Sequence, residues 1–155
     1  MRHQFTFRSE LAVSPERFWQ SLSLAAVNEE LLPLYRMTAS PEILRAPISE
    51  WAKREGALKS WILFLGIIPV DRHFFGRIEF TAPTAFVETS SSWLNRSWRH
   101  ERTAAGTPGG CELTDRISFE PRFAFLGPLQ KILYVAAFRH RHARLGMRYV
   151  RAEET

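Results

Sequence analysis

The chain has 155 residues, of which 45% are apolar, 24% charged and 13% aromatic, with a formal net charge of +5 and one cysteine, Cys111. A chain of this length buries roughly two thirds of the surface it exposes when unfolded, so one domain over 1–155 is expected, folding without disulfides or a metal. Its N-terminal residues lack the apolar stretch of a secretory signal. The longest apolar run, Trp61 to Val70, is about half of the ~20 residues a membrane-spanning helix requires, and a cytoplasmic protein is expected.

Phe5, Phe7 and Ser9 alternate with Gln4, Thr6 and Arg8, which predicts a strand over 3–12. Ser14-Pro15 supplies an N-cap and a proline at the first helical position, where no N–H is needed. A short helix is expected to about Leu22, and a second over 24–32, stopped by Pro33. Ser40-Pro41 and Ala46-Pro47 break the chain that follows, so 34–56 reads as a loop-rich, strand-containing stretch, with the strand over 34–38.

From Gly56 the pattern is β. Strands are expected over 57–65 and 70–80, joined by the turn Gly66-Ile67-Ile68-Pro69, with Phe74, Ile78 and Phe80 on one face of the second and Arg77 and Glu79 on the other. Further strands follow over 85–92 and 95–103, then a hairpin loop over 104–110. The strand over 112–120 buries Leu113, Asp115, Ile117 and Phe119 on one face. After a linker over 121–128, Leu129, Ile132, Leu133, Ala136, His140, Ala143 and Met147 recur at spacings of three and four. They predict an amphipathic helix over about 128–149, on the order of 33 Å long at 1.5 Å per residue. About six antiparallel strands after two short helices form a sheet that has to curl, and only the long helix is large enough to cover its concave face. That arrangement encloses a cavity.

Charge is unevenly distributed. Residues 1–120 hold 14 Lys+Arg and 14 Asp+Glu, whereas 121–151 hold seven basic residues, Arg151 included, and no acid before Glu153 and Glu154. Peripheral contact with an anionic membrane through Arg139, Arg141, Arg144 and Arg148 is expected. The competing reading is a solvated helix face.

Several stretches are similar to one known family. They are the opening strand with Ser14-Pro15-Glu16-Arg17-Phe18-Trp19, the turn Gly66-Ile67-Ile68-Pro69, Phe86-Val87-Glu88 and Trp98-Arg99-His100. With them go Gly109 to Pro121, Leu126-Gly127-Pro128 and Phe138-Arg139-His140. The chain resembles the START and birch-pollen-allergen superfamily (SRPBCC), in the bacterial branch described as polyketide cyclase or coenzyme Q-binding-like proteins. The resemblance implies an α+β helix-grip fold: a curved antiparallel β-sheet wrapped around a long C-terminal α-helix, with two short helices after the first strand. It also implies carriage or modification of a small hydrophobic molecule such as a lipid, quinone or polyketide. The branch often carries Asp where this chain has Glu88 and a second His where it has Arg102, which sets a permanent cation at that position.

Strand parity places Trp98, His100 and Arg102 on one face, and folding the hairpin brings His100 or Arg102 opposite Asp115; Phe86 and Glu88 have the parity to join them. A polar cluster of Glu88, His100, Arg102 and Asp115 inside an apolar cavity is therefore expected, because an Asp on an apolar face needs a cationic partner. It would orient a ligand or simply fix the sheet. His100 and Asp115 are the candidates for acid–base catalysis. Cavity walls are expected from Phe74, Ile78, Trp98, Ile117, Phe119, Leu129, Leu133 and Ala136, with His140 on the inward helix face.

His140 and His142 point in different directions on a helix, and no cysteine or histidine set has metal spacing, so neither metal nor cofactor is expected. The glycines at 106–110 lack a P-loop lysine, and no nucleophile elbow is present. The expected function is binding of a small hydrophobic ligand. The alternatives are a polyketide cyclase or dehydratase using the same cavity, and a non-catalytic interaction module binding through the basic helix. Nucleic acid is not expected as a partner.

Overall fold

The computed structural model describes residues 1–56 and 58–150; Ala57 and residues 151–155, with Arg151, Glu153 and Glu154, lie outside the described residues. Strand β1 (His3–Leu11) leads into helices α1 (Pro15–Gln20) and α2 (Leu24–Leu31), then β2 (Tyr35–Met37), α3 (Pro41–Arg45) and α4 (Ile48–Ala52). Strands β3 (Lys59–Phe64), β4 (Ile68–Ala82), β5 (Ala85–Ser92), β6 (Asn95–Thr107) and β7 (Gly110–Pro121) follow, and a 3₁₀ turn at Ala124–Leu126 opens into α5 (Gly127–Arg148). The seven strands form one sheet in the order β1-β7-β6-β5-β4-β3-β2, every neighbouring pair antiparallel. This is the α+β helix-grip arrangement.

Local chemistry explains the short elements. The Ser14 and Ser23 hydroxyls accept from the Arg17 and Ala26 N–H groups at 3.3 and 3.1 Å, satisfying donors that the first helical turn leaves unpaired. The Asn28 side chain holds β2 like a strand neighbour, donating to the Met37 carbonyl at 2.9 Å and accepting from the Met37 N–H at 2.7 Å. The stretch read as loop-rich contains two short helices; in α3, Pro41 at the first position and the Ser40 cap make a helix of five residues, too short for periodicity to show. The hairpin expected to have a long loop is tight: Thr107 pairs with Gly110, leaving Pro108 and Gly109 as the turn. Gly110 has φ +145, and a Cβ there would collide with the Leu11 carbonyl.

On β7 the expected parity holds, with Leu113, Asp115, Ile117 and Phe119 fully buried. On β4 it does not. The register against β5 shifts between Phe74 and Arg77, a β-bulge at Gly76, whose N–H donates to Ser90 Oγ at 3.0 Å. The extra residue puts Asp71, His73 and Phe75 inward before the bulge and Ile78 inward after it, so Phe74 faces outward; Phe80, opposite buried Phe86, shares the inner face with Ile78 as expected but is 43% exposed near the end of the strand. The core lies under the first two helices, around Phe18, Leu24, Leu113 and Phe86, with a second cluster of Ile117, Phe119 and Phe138 under α5.

The inward stripe of α5 is also displaced from the expected one. Gln130, Phe138, Arg141, His142 and Leu145 are buried, whereas Leu129, Ile132, Leu133 and Met147 are exposed. The helix keeps its amphipathic spacing but turns a mixed polar and apolar stripe toward the sheet, because polar partners wait there.

Candidate ligand cavity

A cavity of about 420 Å³ lies between the sheet, α2, α4 and the part of α5 from Gln130 to Arg141. Apolar side chains form most of the wall, among them Leu24, Trp51, Phe75, Phe86, Trp98 and Phe138. Polar groups come from β4, β5 and β6, namely Asp71, His73, Glu88, Asn95, His100 and Arg102, and from α5, namely Gln130, Tyr134 and Arg141.

Six of the residues expected in the wall are there: Ile78, Glu88, Trp98, His100, Arg102 and Leu133. The others are displaced for identifiable reasons. Phe74 is turned out by the Gly76 bulge. Ile117 and Phe119 are sealed beneath Phe138 and Tyr134 in the second core cluster. Leu129 and Ala136 are exposed on the outer side of α5. His140 Nε2 donates to the Leu32 carbonyl at 2.6 Å, tying α5 to the end of α2. Asp115 lies one layer behind the wall with no exposed surface.

The four polar residues expected together do meet, within a larger network. Asp115 accepts four hydrogen bonds: Arg102 Nε (2.7 Å) and His100 Nε2 (2.6 Å) at Oδ1, Arg102 Nη2 (2.8 Å) and His142 Nε2 (2.8 Å) at Oδ2. His142 Nδ1 is left to accept from the Ser9 hydroxyl at 2.7 Å. The other edge of the Arg102 guanidinium reaches Glu30 on α2, Nη1 to Oε1 and Nη2 to Oε2, each at 3.1 Å. Glu30 also receives Arg141 Nε at 2.8 Å. On the cavity side, Glu88 Oε1 accepts from His73 Nε2 at 2.7 Å and from Ser90 Oγ at 2.6 Å, while its Oε2 lies 3.9 Å from His100 Nδ1.

These groups are all buried, and burial alone would oppose their ionisation. For Asp115 it is more than offset by Arg102 and His100, which hold the carboxyl well below the usual aspartate range. Burial of Glu30 is likewise outweighed by Arg102 and Arg141, and that of Glu88 by His73, so both carboxyls titrate below an ordinary glutamate. For His100 the balance reverses: burial outweighs the attraction of Asp115 and lowers its pKa, favouring the neutral ring. Two guanidiniums thus face three carboxylates.

At the far side of the wall, burial raises Asp71 and pushes the Tyr134 hydroxyl up to about 12. Tyr134 Oη accepts from Asn95 Nδ2 at 2.8 Å, which leaves its own proton free to donate.

His73, Glu30, His142 and the Asn95, Gln130, Tyr134 group were not expected in the site. Asp71 and His73 share a strand face at spacing two, a signal that the bulge hides when Phe74 is taken as the inward residue. Glu30 sits on a helix 72 residues from Arg102 in sequence, and no local pattern joins them. Of the four arginines expected at a membrane, only Arg139 is exposed and without an ion-pair partner among the described residues. Arg141 is buried against Glu30, Arg144 Nε donates to the Glu29 carbonyl at 2.6 Å, and Arg148 pairs with Glu29.

Residues 9–149 match the family described as Domain of unknown function (DUF8410), and the chain belongs to that family. No curated protein matches the sequence. Among solved structures, protein CV1439 from Chromobacterium violaceum superposes with a TM-score of 0.65 at 16% identity, covering 94% of this chain and 96% of that one. The Zhui aromatase/cyclase from Streptomyces sp. R1128 gives 0.64 at 10% identity, covering 99% of each chain. A START superfamily protein from Mycobacterium smegmatis gives 0.61 at 11% identity, covering 95% of this chain and 97% of that one. The fold is therefore the START-like, SRPBCC helix grip. Among the described residues no helix is long and apolar enough to cross a membrane.

Proposed function

We propose that the protein binds a small hydrophobic molecule with a neutral polar end in the cavity between its sheet and α5. The observation that carries this reading is the cavity itself: about 420 Å³, inside the range of roughly 300–1,000 Å³ usual for small-molecule sites, with mostly apolar walls and a few convergent polar groups. Glu88, His73 and His100 line one side of it. Arg102 and Arg141, which line the cavity, are already paired with Asp115 and Glu30, whereas the Glu88 carboxylate is held by imidazole and hydroxyl alone, so an anionic head beside Glu88 would be repelled. A hydroxyl or carbonyl is accommodated, with the free Tyr134 proton as a donor. Helix-grip neighbours that include an aromatase/cyclase and a START superfamily protein support the general class of cargo.

The test is fluorescence titration with Nile red, a neutral apolar dye of suitable size. Saturable binding competed by a long-chain alcohol more strongly than by the matching fatty acid supports the reading. Absence of saturable uptake contradicts it.

One observation favours a second reading, acid–base catalysis on the bound molecule. His73 lines the cavity, and its Nε2–H is held by the Glu88 carboxylate at 2.7 Å. In the neutral ring Nδ1 then carries a lone pair, with no partner among the described residues. A carboxylate-oriented imidazole is a usable base. Under this reading His73→Gln abolishes turnover of a bound carbonyl compound while leaving its affinity unchanged.

A further inference from the structure

Exposed large apolar side chains are concentrated at one end of the molecule. In this antiparallel meander the β3–β4 turn, the β5–β6 turn and the β7–α5 connection all fall at the same end of the sheet. Ile67 in the first turn is 77% exposed, Phe125 in the connection 79%, and Ile132 in the first turns of α5 66%. Leu65, Trp93 and Leu129 are more than half exposed beside them. The cavity reaches the surface at this end, since Phe64, Val70 and Leu133, from the same segments, both line it and are exposed. Single exposed apolar residues are ordinary, whereas a cluster of this size marks an interaction surface.

The exposed charge at this end is predominantly positive. Segments 32–37, 61–70, 91–98 and 121–135 contain Arg36, Arg96, Arg122 and Lys131, against half-buried Glu120 opposite Ser97 and Asp71, which is buried. All four cations are exposed, and none forms an ion pair among the described residues. Such a surface is not self-complementary: a two-fold related copy would set cations against cations. An anionic bilayer supplies both missing components, an apolar interior for Ile67, Phe125 and Ile132 and negative head groups for the surrounding cations.

We propose that this end, and not the basic C-terminal half of α5, docks on an anionic lipid surface with the cavity mouth facing the bilayer. The docking is independent of what the cavity holds.

The test is co-sedimentation of the full chain with vesicles of phosphatidylcholine alone and of phosphatidylcholine with phosphatidylglycerol. Wild type sediments with the anionic vesicles. Ile67→Glu, Phe125→Glu and Ile132→Glu each lower partitioning by about tenfold, and Lys131→Gln lowers it about fivefold. Arg139→Gln, on the C-terminal half of the helix, changes it less than twofold. Melting curves confirm that the variants are folded, and Nile red uptake without vesicles reads the ligand site separately: Ile67→Glu and Phe125→Glu retain it. The proposal is overturned by absence of sedimentation with either vesicle, or by binding that survives all three apolar-to-Glu changes. It is equally overturned if those changes instead dissolve a dimer seen by analytical ultracentrifugation.

Discussion

Arg102 and Asp115 face each other in register across the β6–β7 ladder, joined by two parallel hydrogen bonds of 2.7 and 2.8 Å, with relative exposures of 1% and 0%. A buried pair of this kind need not add net stability over an apolar pair of similar shape, but removing one partner leaves an uncompensated charge in the interior. Their second partners make the arrangement larger than a pair, since Glu30 closes the far edge of the guanidinium and two imidazoles complete the carboxylate.

Asp115→Asn is accordingly expected to destabilise the fold by about 3 kcal/mol or more, read as a fall in the urea midpoint at unchanged slope. The amide cannot accept from Arg102, His100 and His142 together and brings an N–H against existing donors. A loss below about 1 kcal/mol, the level of an exposed ion pair, would show that the network is not what holds the sheet and helix together.

Stability is expected to fall as pH is lowered from neutrality. His100 is depressed in the fold, so below its ordinary value of 6.5 the unfolded chain takes up that proton more readily than the native one. Glu30, Glu88 and Asp115 are depressed too. Their contribution is complete above the ordinary carboxylate range and is lost as pH drops through their lower native values. Both effects make the unfolded state bind more protons. Melting temperature should therefore decline from about pH 7 and steepen below about pH 5; a maximum below pH 5 would contradict the assigned shifts.

Gly76→Ala should damage both stability and the cavity. A Cβ at Gly76 would collide with the backbone carbonyl of Thr89, which no rotamer change relieves, so a cost of about 2 kcal/mol is expected. The bulge also aims His73 and Phe75 inward, so Nile red affinity should fall more than stability alone explains. A variant with wild-type melting and wild-type uptake would mean that the bulge does not set the site.

Ala137 lines the cavity from α5. Ala137→Trp is expected to fill much of the volume, lowering Nile red affinity by tenfold or more while the melting temperature holds or rises, because the indole replaces empty space with contacts. Unchanged affinity in a folded variant would place the dye elsewhere.

What was legible in the sequence follows from how local each signal is. The alternation of Leu113, Asp115, Ile117 and Phe119 has the period of a one-face-buried strand, and the pairing of Asp115 with Arg102 and His100 follows from hairpin parity and the cost of a lone buried carboxylate. Strand alternation alone puts Phe74 inward, because a single extra residue at Gly76 reverses parity without changing composition. On α5, ranking by hydrophobicity favours Leu129, Ile132 and Leu133, yet the buried stripe is Gln130, Phe138, Arg141 and His142. Its polar members are stabilised by Glu30, Asp115 and Asn95 on other elements, which no helical period reveals. The apolar residues left outside lie at the end where the cavity reaches the surface.

The measurement that bears most directly on the central claim is native mass spectrometry of the purified protein, followed by organic extraction of whatever is bound. A discrete excess mass of an apolar, neutral-headed compound is expected in wild type and is expected to be absent from Ala137→Trp. A clean apo mass that stays apo after incubation with long-chain alcohols and quinones would contradict the claim.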